Sequence, residues 1–242
     1  MTRLVFSRDW RDFFGDDPYP FDMAQVESRD GAGVPVAFVA ATIGPPPQRV
    51  LDLGCGYGRH MAALAAAGYG VHGTDVSHAA VSRAQARAGR GTAVMADSER
   101  LPFRAATFDA AICLYTSFGY IGTSARGVFS EAARVVRPGG YLVVDTVNGG
   151  RRPFSIGWER VPGGVGIWLR YGTREVVRQR NLAVTRRVVG VYGLSYRRYV
   201  ADALAEEIGH DGRWAVKAVH GDFDGSPQSP GSPRILVVAC RT

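Results

Sequence analysis

The chain has 242 residues, of which 46% are hydrophobic and 21% charged, with a formal net charge of +7. That is the profile of one globular domain rather than of a disordered or fibrous chain. No apolar run approaches the roughly 20 residues that span a bilayer. The charged opening from Met1 to Trp10 lacks the apolar core of a secretory signal, so the expectation is a cytoplasmic protein. Strong basicity raises a nucleic-acid partner first, but Lys217 is the only lysine among 29 basic residues. An arginine-, alanine- and glycine-rich chain reads as compositional bias rather than a selected basic surface.

In chain order, the first 30 residues mix aromatics, charges and prolines with no clean helical or strand period. Gly33 to Thr42 is a short apolar stretch able to form a helix, closed by Gly44 and three prolines. From Gln48 the pattern alternates between short apolar runs and alanine-rich stretches, as in a parallel sheet with crossover helices. Strands are expected at Val50–Leu53, Gly70–Asp75, Thr92–Ala96, Phe108–Tyr115 and Tyr141–Thr146. Helices are expected near His60–Ala67, Ser77–Ala88 and Ala125–Val136, with Ser77 as an N-cap and Arg137-Pro138-Gly139-Gly140 as a stop. After Asn148, Gly157 to Leu194 alternates bulky and polar residues and reads as an antiparallel hairpin turning near Gln179–Leu182. A helix at Arg197–Ile208 and strands at Trp214–His220 and Arg234–Cys240 complete the chain. Read as a single domain, it divides into an N-terminal segment 1–47, a core 48–148, an insert 149–196 and a last part 197–242.

Cys55, Cys113 and Cys240 form no CxxC or Cys/His cluster, and the five histidines are dispersed, so neither a disulfide framework nor a metal is expected. The strongest chemical signal is Val50-Leu51-Asp52-Leu53-Gly54-Cys55-Gly56-Tyr57-Gly58, an apolar strand entering a glycine-rich turn that opens a helix. Glycines there let backbone pass close to a ligand. A dinucleotide fingerprint would place a glycine at 59, which is Arg59, so a nicotinamide or flavin cofactor is the weaker reading. Asp75 ends the second expected strand, where a carboxylate can accept both ribose hydroxyls. Asp97-Ser98 follows the third, in reach of an adenine amino group.

Five ordered stretches now carry a resemblance: VLDLGCGYGRH at Val50–His60, GTDVS at Gly73–Ser77, ADSERLPF at Ala96–Phe103, FDAAICLYTSFGYI at Phe108–Ile121 and RVVRPGGYLVV at Arg134–Val144. The chain resembles the class I S-adenosylmethionine-dependent methyltransferases, and more narrowly the bacterial small-molecule enzymes of natural-product and aminosugar type. The resemblance implies an α/β, Rossmann-like, doubly wound and mostly parallel seven-stranded sheet with an antiparallel insert after the fifth strand. It implies S-adenosyl-L-methionine held by Asp52, Gly54, Cys55, Gly56, Gly58, Asp75, Val76, Asp97, Ser98 and the Leu114 carbonyl, with Tyr19 near the cofactor carboxylate and Arg29 or Arg59 as the source of charge. The expected partner is a small-molecule acceptor presenting an N-, O- or C-nucleophile, with neither membrane nor nucleic acid involved and a homodimer left open.

Methyl transfer from a sulfonium is an in-line displacement whose main requirement is positioning, and a dedicated base is optional. Candidates for proton transfer or acceptor orientation are Tyr115, Tyr120 and Asp222, the last in Gly221-Asp222-Phe223-Asp224-Gly225. Arg170, Arg174, Arg178 and Arg180 share one parity and would line one face of a continuous strand. The competing readings are an RNA methyltransferase and a non-catalytic protein that binds S-adenosylmethionine.

Overall fold

The computed structural model describes residues 3–7, 31–115, 117–120, 125–150, 154–161, 164–172, 176–185 and 188–242. Its elements are β1 (Arg3–Ser7), α1 (Gly33–Ile43), β2 (Arg49–Leu53), α2 (Arg59–Ala66), β3 (Gly70–Asp75), α3 (His78–Ala88), β4 (Ala93–Met95) and β5 (Phe108–Cys113). A 3-10 turn (Ser117–Tyr120), α4 (Arg126–Val135), β6 (Val136–Val147), β7 (Ser155–Val161) and β8 (Gly164–Gly172) follow. The rest is β9 (Val176–Thr185), β10 (Val188–Arg197), α5 (Ala201–Gly209), β11 (Trp214–His220) and β12 (Arg234–Arg241).

Seven strands form the central sheet in the order β11-β12-β6-β5-β2-β3-β4. Neighbours from β6 to β4 pair in parallel, while β12 runs antiparallel to both β6 and β11. Both faces are buried, which is why these strands read as continuous apolar runs. Leu51, Leu53, Ala111, Cys113, Leu142 and Val144 belong to the cluster beneath α4 and α5. Val50, Ala110, Ile112 and Val143, of opposite parity, pack with Met61 and Leu64 of α2 and Val81 and Ala84 of α3. The period of two along each strand therefore feeds two cores, and burying each branched side chain contributes roughly 1.5 to 3 kcal/mol. Ser77 caps α3 as expected, its Oγ accepting from Ala80 N–H at 3.2 Å.

The order of strands reverses between β2, followed on one side by β3, and β5 on the other. Open α/β sheets bind ligands at the carboxyl ends of strands flanking such a reversal.

Several boundaries differ from the sequence reading. Arg137–Gly140 does not separate helix from strand. It bulges within β6, where the partner of Phe108 is Val136 and that of Ala110 is Tyr141. The bulge has room only for glycine at 140, since a Cβ there would lie 2.5 Å from the Asp109 carbonyl oxygen. The insert is not one hairpin turning near Gln179–Leu182, because those residues lie inside β9. It is an antiparallel meander of β7, β8, β9 and β10, completed to five strands by β1, which pairs in parallel with β10. β10 continues to Arg197, so the helix expected from Arg197 begins at Ala201. Among the insert arginines, the Arg178 and Arg180 positions pair with Tyr171 and Leu169, whereas Arg170 pairs with Gln179. Arg170 therefore has the opposite register parity on the folded meander, and Arg174 lies outside the described residues.

Candidate functional site at the carboxyl ends of the strands

After β2 the chain turns through Gly54, Gly56 and Gly58, at φ 69°, 53° and 72°. Residues with side chains pay roughly 1 to 2 kcal/mol for this left-handed conformation. Space adds a second restriction. A Cβ on Gly54 would sit 2.6 Å from Ser117 Cβ, and one on Gly58 would sit 2.8 Å from Ala84 Cα. The turn is thus wedged between the 3-10 turn and α3, with its Cys55 N–H donating to the Thr74 carbonyl at 2.9 Å.

Asp75 ends the neighbouring strand β3 and ties the turn to it. One carboxylate oxygen accepts from Gly56 N–H and the other from Ser77 N–H, both at 2.9 Å. Burial raises its pKa, against the pull of those backbone donors. Asp52, buried inside β2, is pushed up to about 8, first by burial and then by the charge of Asp75, with Arg59 opposing. Cys55 is buried, and burial also pushes its thiol up, the reverse of a reactive cysteine. Val76 is exposed, as is Asp97 after β4, whose Oδ1 accepts from Glu99 N–H at 2.9 Å, while Ser98 is buried.

Across the sheet reversal, Leu114 follows β5, and its carbonyl accepts from Ser117 Oγ at 2.9 Å. Tyr115 is one of two non-glycine residues with positive φ among the described residues, at 57°. Its N–H donates to Asp145 Oδ2 at 2.9 Å, and the same oxygen receives Arg234 Nη1 at 2.5 Å. Asp145 is fully buried; burial raises its pKa against the Arg234 charge. Burial disfavours the Arg234 cation, but Asp145 outweighs that and holds the guanidinium above its usual range. The Tyr115 ring lies 4.1 Å from the Arg59 guanidinium carbon and 4.4 Å from that of Arg234. It stacks on His60 at 5.4 Å and on Phe223 at 6.1 Å, centroid to centroid, and Phe38 of α1 meets Phe223 edge-on. Burial, then Arg59 and Arg234, pull the His60 pKa down to about 3, so this imidazole is neutral.

The strand ends thus bring together Asp52, Gly54, Cys55, Gly56, Gly58, Asp75 and Leu114. Asp222 is half-buried in the loop after β11, its Oδ1 accepting from Phe223 N–H at 2.8 Å. Its charge reaches both Asp145 and Arg234. Asp224 is exposed and accepts from Ser226 N–H at 2.8 Å, a turn role. Tyr19 and Arg29 lie outside the described residues, as does the side chain of Tyr120. The sequence reading missed Asp145, Arg234, Ser117 and His60. A carboxylate within Leu142-Val143-Val144-Asp145-Thr146 was a usable signal, because a charge in a buried strand demands a partner. Among the described residues, no group of three His, Cys, Asp or Glu side chains could hold a metal ion.

Residues 50–140 match the methyltransferase domain family, and most of the chain shares the fold of solved structures of S-adenosylmethionine-dependent methyltransferases. A demethylmenaquinone methyltransferase of Beutenbergia cavernae is 42% identical over 100 residues, 41% of this chain and 40% of that protein. The chain covers less than half the length of the curated relatives that it matches. The S-adenosylmethionine-bound structure of an amino pentose methyltransferase from Micromonospora echinaspora, involved in calicheamicin biosynthesis, superposes with a TM-score of 0.70 at 22% identity, covering 94% of this chain and 98% of that one. A sugar N-methyltransferase from Streptoalloteichus superposes with a TM-score of 0.74 at 20% identity, covering 94% and 93%.

Proposed function

We infer that the protein transfers the methyl group of S-adenosylmethionine to a nitrogen, oxygen or carbon nucleophile of a small molecule in bacterial specialised metabolism. The observation that carries this reading is the turn of left-handed glycines at the end of β2, with its Gly56 N–H held by Asp75 at the end of β3. The residues fit the cofactor. Glycines leave backbone bare for the methionine chain, and the Asp75 carboxylate, with two lone pairs on each oxygen, keeps acceptor capacity beyond its backbone N–H donors.

Bound there, the cofactor supplies a methyl group already activated on a sulfonium. In this reading Asp75 takes the ribose hydroxyls, while Val76, Asp97 and Ser98 border the adenine. Asp52, Gly54, Cys55, Gly56 and Gly58 shape the floor beneath the methionine chain, with the Leu114 carbonyl toward its amino group. Tyr19 and Arg29 keep their proposed place near its carboxylate. The acceptor lies against Tyr115, Phe223 and Phe38, with Asp222 and Tyr120 as its polar contacts. An amine acceptor needs no side-chain base once its proton is lost, so these residues orient more than they titrate.

The second sheet, in the same reading, walls the acceptor side as part of one 1–242 unit. Among the described residues no helix is long and apolar enough to cross a membrane, and we place the protein in the cytoplasm. A homodimer is included in the proposal, with exposed Ile156, Trp158 and Ile167 as apolar area available to a second copy.

The experiment is transfer of isotopically labelled methyl from S-adenosylmethionine to a panel of aminosugars, phenols and bulk RNA. Label in a small molecule is expected. Label in RNA alone, or in nothing while the cofactor binds, would contradict the assignment.

A further inference from the structure

The net charge of the chain is not evenly spread. Between Arg151 and Arg197 lie 10 of the 29 basic residues and only 2 of the 22 acidic ones, Glu159 and Glu175. These 47 residues therefore carry a net +8, while 19 basic and 20 acidic residues leave the other 195 at −1. Compositional bias alone would enrich arginine along the whole chain, so the basicity belongs to the segment that builds β7–β10. A sign asymmetry of this kind points to an anionic partner.

The same segment exposes apolar side chains on one face of its sheet. Phe154, Ile156 and Trp158 at β7 are exposed, as are Val165 and Ile167 on β8. Trp158 pairs with Ile167 and Ile156 with Leu169, and paired positions share a face in an antiparallel ladder. Ser195 on β10 has the same parity, through Arg178 and Tyr171, and is exposed too. Gly166 and Tyr196, of the opposite parity, are buried. The Arg160, Arg178 and Arg180 positions hold the exposed parity, pairing with Val165, Tyr171 and Leu169. A contiguous exposed apolar area bordered by such positions marks an interaction site.

Charge and shape of the side chains select among occupants. A second copy, to which the same apolar area is open, brings an equal excess of arginine, and like charges set against each other are unfavourable. A nucleic acid answers the arginines and can stack on Trp158 and Phe154, but Ile156, Val165 and Ile167 offer no ring to a base. The surface of a bilayer with anionic headgroups answers both features. Aromatic and branched apolar groups enter the boundary between headgroups and acyl chains, while guanidinium groups stay among the phosphates.

We propose that the outer face of the second sheet is a peripheral docking surface for an anionic lipid bilayer. Contact is with one leaflet and no segment spans it. The leaflet that faces the cytoplasm is the anionic one, so docking agrees with a cytoplasmic protein. The proposal stands independently of methyl transfer, because it rests on charge distribution and register alone.

The test is co-sedimentation of the full chain with phosphatidylcholine vesicles, with and without phosphatidylglycerol. Binding to the anionic vesicles alone is expected, with tryptophan fluorescence shifted to shorter wavelength. Raising salt from about 0.05 to about 0.5 M should weaken it at least about tenfold, since the charges are screened. Trp158→Ser should weaken binding about tenfold, and the pair Arg178→Glu and Arg180→Glu by at least as much. Melting temperatures verify that the variants fold, and the lipid and salt dependence of the wild type decides the matter where they do not. Equal binding to neutral vesicles, or binding to neither, would overturn the proposal. So would a dimer that leaves vesicles unbound and dissociates in Trp158→Ser, or capture of single-stranded RNA by protein that ignores vesicles.

Discussion

The half of the molecule from β2 to β6 and the five-stranded sheet built from β1 and β7–β10 differ in how they are specified. In the first, each strand end carries a residue whose position is fixed by local chemistry: left-handed glycines after β2, Asp75 after β3, and a clamped peptide after β5. In the second, strands of 5 to 10 residues pair along their length, and apolar side chains such as Ile156 and Trp158 remain exposed. The comparison teaches that this fold concentrates local constraint at the carboxyl ends of its parallel strands, where open α/β sheets bind ligands. The second sheet is built from generic pairing.

The largest expected effect tests that concentration. Gly58→Ala combines a left-handed backbone with a Cβ 2.8 Å from Ala84 Cα, and should destabilise the fold by roughly 2 to 5 kcal/mol. Urea titration measures it. A change below about 0.5 kcal/mol would mean that the turn gives way easily and that the contrast between the two regions is overstated.

Titration beside the same turn gives a second effect, in which two groups oppose each other below pH 6.5 and Asp52 acts alone above it. Native Asp52, pushed up to about 8, holds a proton that the unfolded chain has released above its ordinary value of 3.8. Its stabilisation is complete below that value and declines as pH rises toward 8. Native His60, pulled down to about 3 from 6.5, behaves in reverse: its contribution is present above 6.5 and is lost as pH falls toward 3. Melting temperature should therefore fall between pH 6.5 and 8 in the wild type and fall less steeply in Asp52→Asn. Parallel curves for the two proteins would contradict the buried, protonated Asp52.

Smaller effects are expected where the acceptor would lie. Tyr115→Phe and Asp222→Asn should each lower turnover by about tenfold or less, since one lost orienting hydrogen bond costs roughly 1 kcal/mol. A loss above about a thousandfold with binding intact would identify a general base and favour a hydroxyl or carbon acceptor. The smallest is Trp158→Ser on β7, where the side chain is 69% exposed. Cofactor affinity should not change, and a marked loss would tie the second sheet to the cofactor half.

What was legible in the sequence follows the same division. The parallel strands, the Ser77 cap and the glycine turn could be read because an apolar run, a capping hydroxyl and a glycine each act over a few residues. The insert could not be resolved into four strands, because alternation of bulky and polar residues continues across Gln179–Leu182, which lie mid-strand, without marking its turns. Pairing of Arg3–Ser7 with β10 joins residues about 185 apart, and no local pattern encodes such a contact. The polar network at Tyr115 was missed for the same reason. Asp145 meets Arg234, and Ser117 meets Gly54, only through the order β12-β6-β5-β2, although the carboxylate buried in β6 signalled that a partner was needed.

The central claim is that the ends of β2 and β3 hold S-adenosylmethionine through Asp75, and the most direct measurement is calorimetric titration of the wild type and of Asp75→Ala with S-adenosylhomocysteine. Loss of charge-assisted acceptors for the ribose hydroxyls, worth roughly 1.5 to 3 kcal/mol, should weaken binding about ten- to a hundredfold while the variant remains folded. Equal affinity of the two proteins, or no binding by folded wild type, would contradict the account.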